Sequence, residues 1–240
     1  AEGSAFAPNE GFGNLVAPCA FAIKGANGEV LNVGSYKVTP DYSNYKGNYD
    51  ITPVPGELTI TPAPLTGIIQ NAETPYYAKY DSSKFTVEFP TLIGNTKEQD
   101  YLKENYNYSY SISGYDHTTA AAGTSFTVEG TAKANITNAN YIVTLKAGTL
   151  TVDRRDITVG VVLGPTGSKK YVYGASASTI ISGFKIQVNF PETLPGLING
   201  IQTTTDYVDG MGVGKYFVTA RIKADAVDAG VYDNYRLSFE

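Results

Sequence analysis

The chain has no tryptophan, one histidine, one cysteine and one methionine in 240 residues. Each scarcity removes a class of function. A single His and a single Cys cannot assemble a His/Cys metal cluster, nor more than one Cys–His pair. Cys19 has no partner for an intrachain disulfide, so stability has to come from packed cores, which domains of about 90 residues can supply. Cys19 itself reads as a small buried hydrophobe. Positive charge is scarce and scattered: 18 Lys and Arg stand against 23 Asp and Glu, for a net charge of −5. The longest basic cluster is the pair Lys169-Lys170, which excludes the basic face of a nucleic-acid protein. No apolar run approaches the roughly 20 residues of a membrane-spanning helix. The start, Ala1-Glu2-Gly3-Ser4, has neither a basic nor an apolar region, so any signal peptide is expected to have been removed.

What is present is tyrosine, glycine and a repeat. The chain holds 19 Tyr, 10 Phe and 25 Gly, and its hydrophobic share of 42% supports packed cores over disorder. Asn48-Tyr49 lies eight residues before Gly56 of the run Gly56-Glu57-Leu58-Thr59-Ile60-Thr61, and Asn140-Tyr141 stands in the same relation to Gly148-Thr149-Leu150-Thr151-Val152. A third copy begins at Asn234-Tyr235 and breaks off at Phe239-Glu240. The three tyrosines are 92 and 94 residues apart, the length of one sandwich domain, so the chain reads as a tandem array.

A second anchor recurs in each repeat, an aromatic-x-Val strand behind a glycine turn. It appears as Gly34-Ser35-Tyr36-Lys37-Val38-Thr39, as Gly123-Thr124-Ser125-Phe126-Thr127-Val128 and as Gly214-Lys215-Tyr216-Phe217-Val218-Thr219. Further strands are predicted at Ala20-Phe21-Ala22-Ile23-Lys24, closed by the turn Gly25-Ala26-Asn27-Gly28, and at residues 63–69, 84–90, 155–162 and 184–190. Tyr106-Asn107-Tyr108-Ser109-Tyr110-Ser111-Ile112 alternates over seven residues and predicts a strand with three Tyr and one Ile on one face. Residues 94–104 form the only predicted helix, two to three turns long and polar enough to be a surface insertion.

These patterns predict an all-β fold of tandem immunoglobulin-like β-sandwich domains in an elongated array. Residues 1–62 would be an incomplete first repeat with a Gly/Ala-rich start, 63–153 a complete sandwich, and 154–240 a third sandwich lacking its last strand. About four residues are expected between successive strands at the junctions. Thr61-Pro62-Ala63-Pro64 would favour extended, semi-rigid geometry and rod-like stacking.

Asn48-Tyr49 with Gly56-Glu57-Leu58-Thr59-Ile60-Thr61-Pro62-Ala63-Pro64-Leu65-Thr66, and Asn140-Tyr141 with Gly148-Thr149-Leu150-Thr151-Val152, resemble the MBG-type repeat, an immunoglobulin-like module of bacterial surface proteins and adhesins. That family's Tyr-Gly near the first strand is matched by Tyr173-Gly174, whereas the second repeat has Tyr76-Tyr77-Ala78-Lys79-Tyr80 there. The resemblance spans about residues 32–240. It implies a bacterial cell-surface setting and a spacer or adhesive role, and it brings no shared catalytic residues.

Gly164-Pro165-Thr166-Gly167-Ser168-Lys169 is too short between its glycines for a phosphate loop, and Gly210-Met211-Gly212-Val213-Gly214 lacks the spacing of a dinucleotide site; both read as turns. Asp153 and Asp156 flank a junction where tandem extracellular sandwiches can hold Ca²⁺, but Arg154-Arg155 between them would supply the counter-charge. His117 reads as a surface-loop residue with no nucleophile to serve. Tyr106, Tyr108 and Tyr110 pose the sharpest alternative: a core-facing row, or a face on which sugar rings stack.

The expected function is a non-enzymatic stalk or adhesion module at the bacterial cell surface, with no cofactor and no metal. Its partners would be a surface receptor, a glycan or neighbouring repeats. The alternative is a carbohydrate-binding module using Tyr106, Tyr108 and Tyr110, accessory to a glycan-processing system.

Overall fold

The computed structural model describes residues 20–23, 31–43, 49–165, 167–190, 197–230 and 232–240. Cys19, the expected turn at 25–28 and Asn48 lie outside them. Among the described residues strands dominate and are arranged in several sheets, so the fold is all-β. No helix among them is long and apolar enough to cross a membrane.

The chain divides into two compact units. One comprises Ala1–Gly67, Phe89–Tyr108 and Thr131–Leu145; the other comprises Ile68–Glu88, Ser109–Gly130 and Lys146–Glu240. In the first unit β1 (Ala20–Ile23), β2 (Gly34–Asp41) and β3 (Gly56–Ile60) form an antiparallel sheet with β2 at its centre. The first residues of β4 (Ala63–Ile69) run beside β9 (Tyr141–Lys146), and the Ala63 amide donates to the Asn140 carbonyl at 2.9 Å.

α1 (Thr96–Asn105) also belongs to the first unit. Asn95 caps it by accepting from the Glu98 amide, and Glu98 and Lys103 stand at the ends that favour their charges. The helix is more than a surface insertion, because Leu102 is fully buried. Burial of a leucine of that kind is worth about 1.5–3 kcal/mol, which anchors an otherwise polar segment.

In the second unit the last two residues of β4 pair with the short β6 (Val87–Glu88). The expected strand over 84–90 shrinks to that pair. Asp81 accepts from the Ser83 amide and tightens residues 82–84 into a 3-10 turn, and Pro90, which lacks a ladder donor, begins another.

β5 (Ala72–Pro75), β10 (Gly148–Asp153), β8 (Ser125–Ala134) and β7 (Tyr106–Ile112) follow in that spatial order; β5 lies parallel to β10 and β8 antiparallel. β10 buries Gly148, Leu150 and Val152 on one face, the period-two pattern that its sequence announces.

β11 (Arg155–Leu163) is the centre of another sheet, flanked by β12 (Phe184–Val188) antiparallel and β15 (Tyr235–Phe239) parallel. β13 (Ile201–Thr205) and β14 (Val218–Ile222) form a hairpin. Ile157, Val159, Leu197, Ile201, Ala220 and Tyr235 make the core here.

β14 begins four residues later than the aromatic-x-Val pattern predicts. Asp206 takes the Phe217 amide, and the Tyr216 hydroxyl donates back to the Gly212 carbonyl, so residues 212–217 form a loop. Among the described residues two short helices, α2 (Ala177–Ser182) and α3 (Ala224–Asp228), add to the single helix expected; in α2 the Ser176 side chain supplies the cap. The junctions are tighter than four residues: Thr61 and Pro62 separate β3 from β4, and Arg154 alone separates β10 from β11.

The glycine that opens the Gly-x-Leu-Thr strand plays different parts in its two complete copies. A Cβ on Gly148 would lie 2.5 Å from the Ile69 carbonyl oxygen, whereas a Cβ on Gly56 would meet nothing within 4 Å. Gly148→Ala is therefore expected to destabilise by about 1–3 kcal/mol, as overpacking against backbone does. Gly56→Ala should stay within about 0.5 kcal/mol of the parent. Urea midpoints of the two variants check this, and equal midpoints would contradict the assignment.

Candidate functional site at the repeat junctions

The sequence repeat acquires a physical meaning where one copy meets the next. The Asn140 side-chain oxygen accepts from the Val33 amide at 3.0 Å, and its side-chain nitrogen donates to Asn32 Oδ1 at 2.9 Å. Its own carbonyl takes the Ala63 amide, and its own amide donates to the Tyr101 hydroxyl. All four polar groups of this asparagine are engaged.

Asn234 repeats the arrangement in the second unit. Its side-chain oxygen accepts from the Ala122 amide at 2.7 Å, and its carbonyl takes the Arg155 amide at 3.0 Å. Val33 and Ala122 each immediately precede the glycine of the aromatic-x-Val strand in the preceding repeat. Each asparagine thus ties the start of one strand, at Ala63 or Arg155, to a backbone amide earlier in the chain.

The junction between the second and third repeats has a further layer. Pro75-Tyr76-Tyr77-Ala78 makes a turn in which the Ala78 amide donates to the Pro75 carbonyl. Tyr77 holds φ 57° there, an unusual state for a bulky residue. The same turn returns as Val172-Tyr173-Gly174-Ala175, with Gly174 at φ 86°. Tyr77 therefore occupies the place of the glycine in Tyr173-Gly174, which explains why the second repeat departs from Tyr-Gly in sequence and not in shape.

The carbonyls exposed by that turn hold Arg155. Its Nε donates to Tyr76 at 2.7 Å and its Nη2 to Tyr77 at 3.3 Å, while the guanidinium lies 4.0 Å from the centre of the Phe190 ring. Tyr76 meets the Tyr235 ring edge-on at 5.3 Å. Such a planar, forked donor stacked on an aromatic is a place for arginine and not for lysine.

The acidic pair at this junction is neutralised differently from the sequence expectation. Arg236, on β15, approaches Asp156 at 2.8 Å and Asp153 at 3.6 Å, whereas neighbouring Arg155 is spent on the tyrosine carbonyls. Parallel pairing of β15 with β11 brings Arg236 opposite Asp156, a proximity that linear order does not show. Among the described residues no three His, Cys, Asp or Glu side chains gather where a metal ion could be held. His117 lies in a loop, 3.8 Å from Asp116, whose carboxylate also accepts from the Thr118 amide and hydroxyl.

The tyrosine row of β7 alternates as its sequence does. Tyr106 is buried and its hydroxyl donates to the Tyr141 carbonyl. Tyr108 and Tyr110 are half-buried, their rings 6.5 Å from Phe89 and 5.4 Å from Phe85. Asn107, Ser109 and Ser111 take the exposed side.

Burial also marks the motif tyrosines themselves. Tyr141 is pushed up to about 12 by desolvation and by its hydrogen bond to Glu98, and Tyr235 to about 12 by desolvation and by Tyr76 beside it. Comparison of the chain with protein-family models, curated proteins and solved structures finds no match.

Both raised pKa values fix a pH response. An unfolded tyrosine ionises near 10, so the stabilisation is complete below about pH 10 and declines as pH rises toward the folded value of about 12. Alkaline denaturation should show a flat midpoint up to about pH 10 and a fall above it, and Tyr235→Phe should shallow the fall. A midpoint falling just as steeply in Tyr235→Phe would refute the assignment to that residue.

Arg155→Lys tests the fork. Loss of a second hydrogen bond and of the stacked plane should cost about 1–3 kcal/mol in urea denaturation, with Arg155→Ala no more than modestly worse. A lysine variant as stable as the parent would show that charge alone matters at this position.

Proposed function

We propose that the chain is a tandem array of immunoglobulin-like sandwiches of the MBG type, with boundaries near residues 62 and 153, acting as a non-enzymatic stalk or adhesive segment on the outside of a bacterial cell. The observation that carries this reading is the recurrence of one contact at two junctions. Asn140 and Asn234 are 94 residues apart and reach back to equivalent turns of the preceding copy. A segment whose specific polar groups are spent on joining its own copies is organised for reach. A linker of one or two residues between strands leaves little freedom for the copies to turn.

The partners that follow from this reading are neighbouring repeats and, at a tip or along an exposed loop face, a surface receptor or glycan. Sugar stacking on Tyr106, Tyr108 and Tyr110 would have to use rings that are buried or half-buried, so the junction reading has the firmer footing. Small-angle scattering of the full chain tests it. An elongated particle is expected, and the profile of a compact globule would overturn the stalk.

A further inference from the structure

Two positions in this chain receive an asparagine through a backbone amide, and a third stands at the corresponding place in the sequence repeat. Val33 and Ala122 precede Gly34 and Gly123 and give their amides to Asn140 and Asn234. Val213 precedes Gly214 at the corresponding position of the third repeat.

The likeness to the first repeat extends to side chains. The Tyr36 hydroxyl donates to the carbonyl four residues back, at Asn32, over 2.8 Å, and the Tyr216 hydroxyl does the same to Gly212 over 2.7 Å. Each ring lies beside its glycine: an added Cβ would meet it at 3.7 Å on Gly34 and at 3.4 Å on Gly214.

The other half of the receiving surface is duplicated as well. The turn Val172-Tyr173-Gly174-Ala175 reproduces the one whose carbonyls hold Arg155. Where the contact is made, Tyr76, Tyr77 and Ala122 are half-buried. In the third repeat their counterparts Tyr173, Gly174 and Val213 are all exposed, Tyr173 at 73% and Val213 at 95%. Tyr173 and Val213 border one cavity of about 420 Å³, which Val172, Tyr207, Tyr216 and Phe217 also line. Isolated surface hydrophobes need no explanation, but several around one concavity mark an interaction face.

We propose that this face is the docking site for a further repeat of the same sequence type following in line. The asparagine of that repeat's Asn-Tyr pair accepts from the Val213 amide, and its opening strand starts against the carbonyls of Tyr173 and Gly174. The inference rests on the reading of the chain as an array. The two junctions already made within the chain set the occupant, because in each the asparagine of an Asn-Tyr pair accepts from the amide that precedes the glycine.

Lengthening the full chain tests this. Residues 147–240 added directly after Glu240 keep the register, since Phe239-Glu240 stands where Leu145-Lys146 stands in the second repeat. Amide hydrogen exchange, followed by NMR, reads Val213 and Gly214 separately. In the second repeat the Gly123 amide is held by the Val152 carbonyl of the last strand, and the Ala122 amide by Asn234.

Adding residues 147–153 alone is therefore expected to slow exchange at Gly214 and not at Val213. Adding the whole of 147–240 should slow Val213 by about tenfold or more, the effect of one retained hydrogen bond. Asn234→Ala in the added copy should restore the original rate at Val213. Unchanged Val213 exchange in the lengthened chain, or slowing that survives the alanine, overturns the docking contact. Slowing in the original chain that grows with protein concentration overturns it too, by making a second copy the occupant. An elongated scattering profile with unchanged Val213 exchange would sink the contact and leave the array standing.

Discussion

A backbone amide taken out of bulk water has to find an acceptor, and this requirement governs the junctions on which the rest of the structure depends. When one or two residues separate the last strand of one repeat from the first strand of the next, the turn beneath is covered and its amide loses water. Asn140 and Asn234 supply the missing acceptor from the incoming side. Asparagine suits the task better than aspartate. A carboxylate would be costly to desolvate and could offer no donor, whereas the Asn140 side-chain nitrogen donates to Asn32 as its oxygen accepts from Val33.

Tyrosine does here what disulfides do in many secreted domains. With one cysteine in the chain, fixed distances have to be held by other means. Hydroxyls of Tyr36, Tyr106, Tyr115, Tyr216 and Tyr232 each donate to a backbone carbonyl, some four residues away and others more than thirty. Each ring adds apolar area while its hydroxyl pins a segment, so one residue type serves both core and staple. The raised ionisation of Tyr141 and Tyr235 has the same origin, a hydroxyl kept neutral where water is limited.

How much of this was legible depended on whether the cause was local. β7, β4, β10 and β11 followed from period-two alternation, because one face of each strand is buried and the other is not. α1 followed from helix-forming composition, and the structure adds the Asn95 cap. β5, by contrast, is Ala72-Glu73-Thr74-Pro75, with little strand propensity, and exists because β10 lies parallel beside it. Arg236 could not be matched to Asp153 and Asp156 without knowing that β15 pairs with β11. The left-handed turn at Tyr77 was hidden because a tyrosine stands where the related turn has glycine.

The candidate site shows the same division in its sharpest form. Its giving half was visible as the recurring Asn-Tyr pair, because a side chain makes the bond and only a particular side chain can. Its receiving half was not, since Val33 and Ala122 act through their main-chain amides and share no side-chain chemistry. A contact between a specific side chain and a generic backbone group leaves a signature on one partner alone. The receiving position is then constrained by conformation, through the glycine that follows it and, in the first and third repeats, the tyrosine two residues beyond that glycine. A contact of this kind constrains one side chain and one backbone amide and places no demand on the rest of either partner's surface.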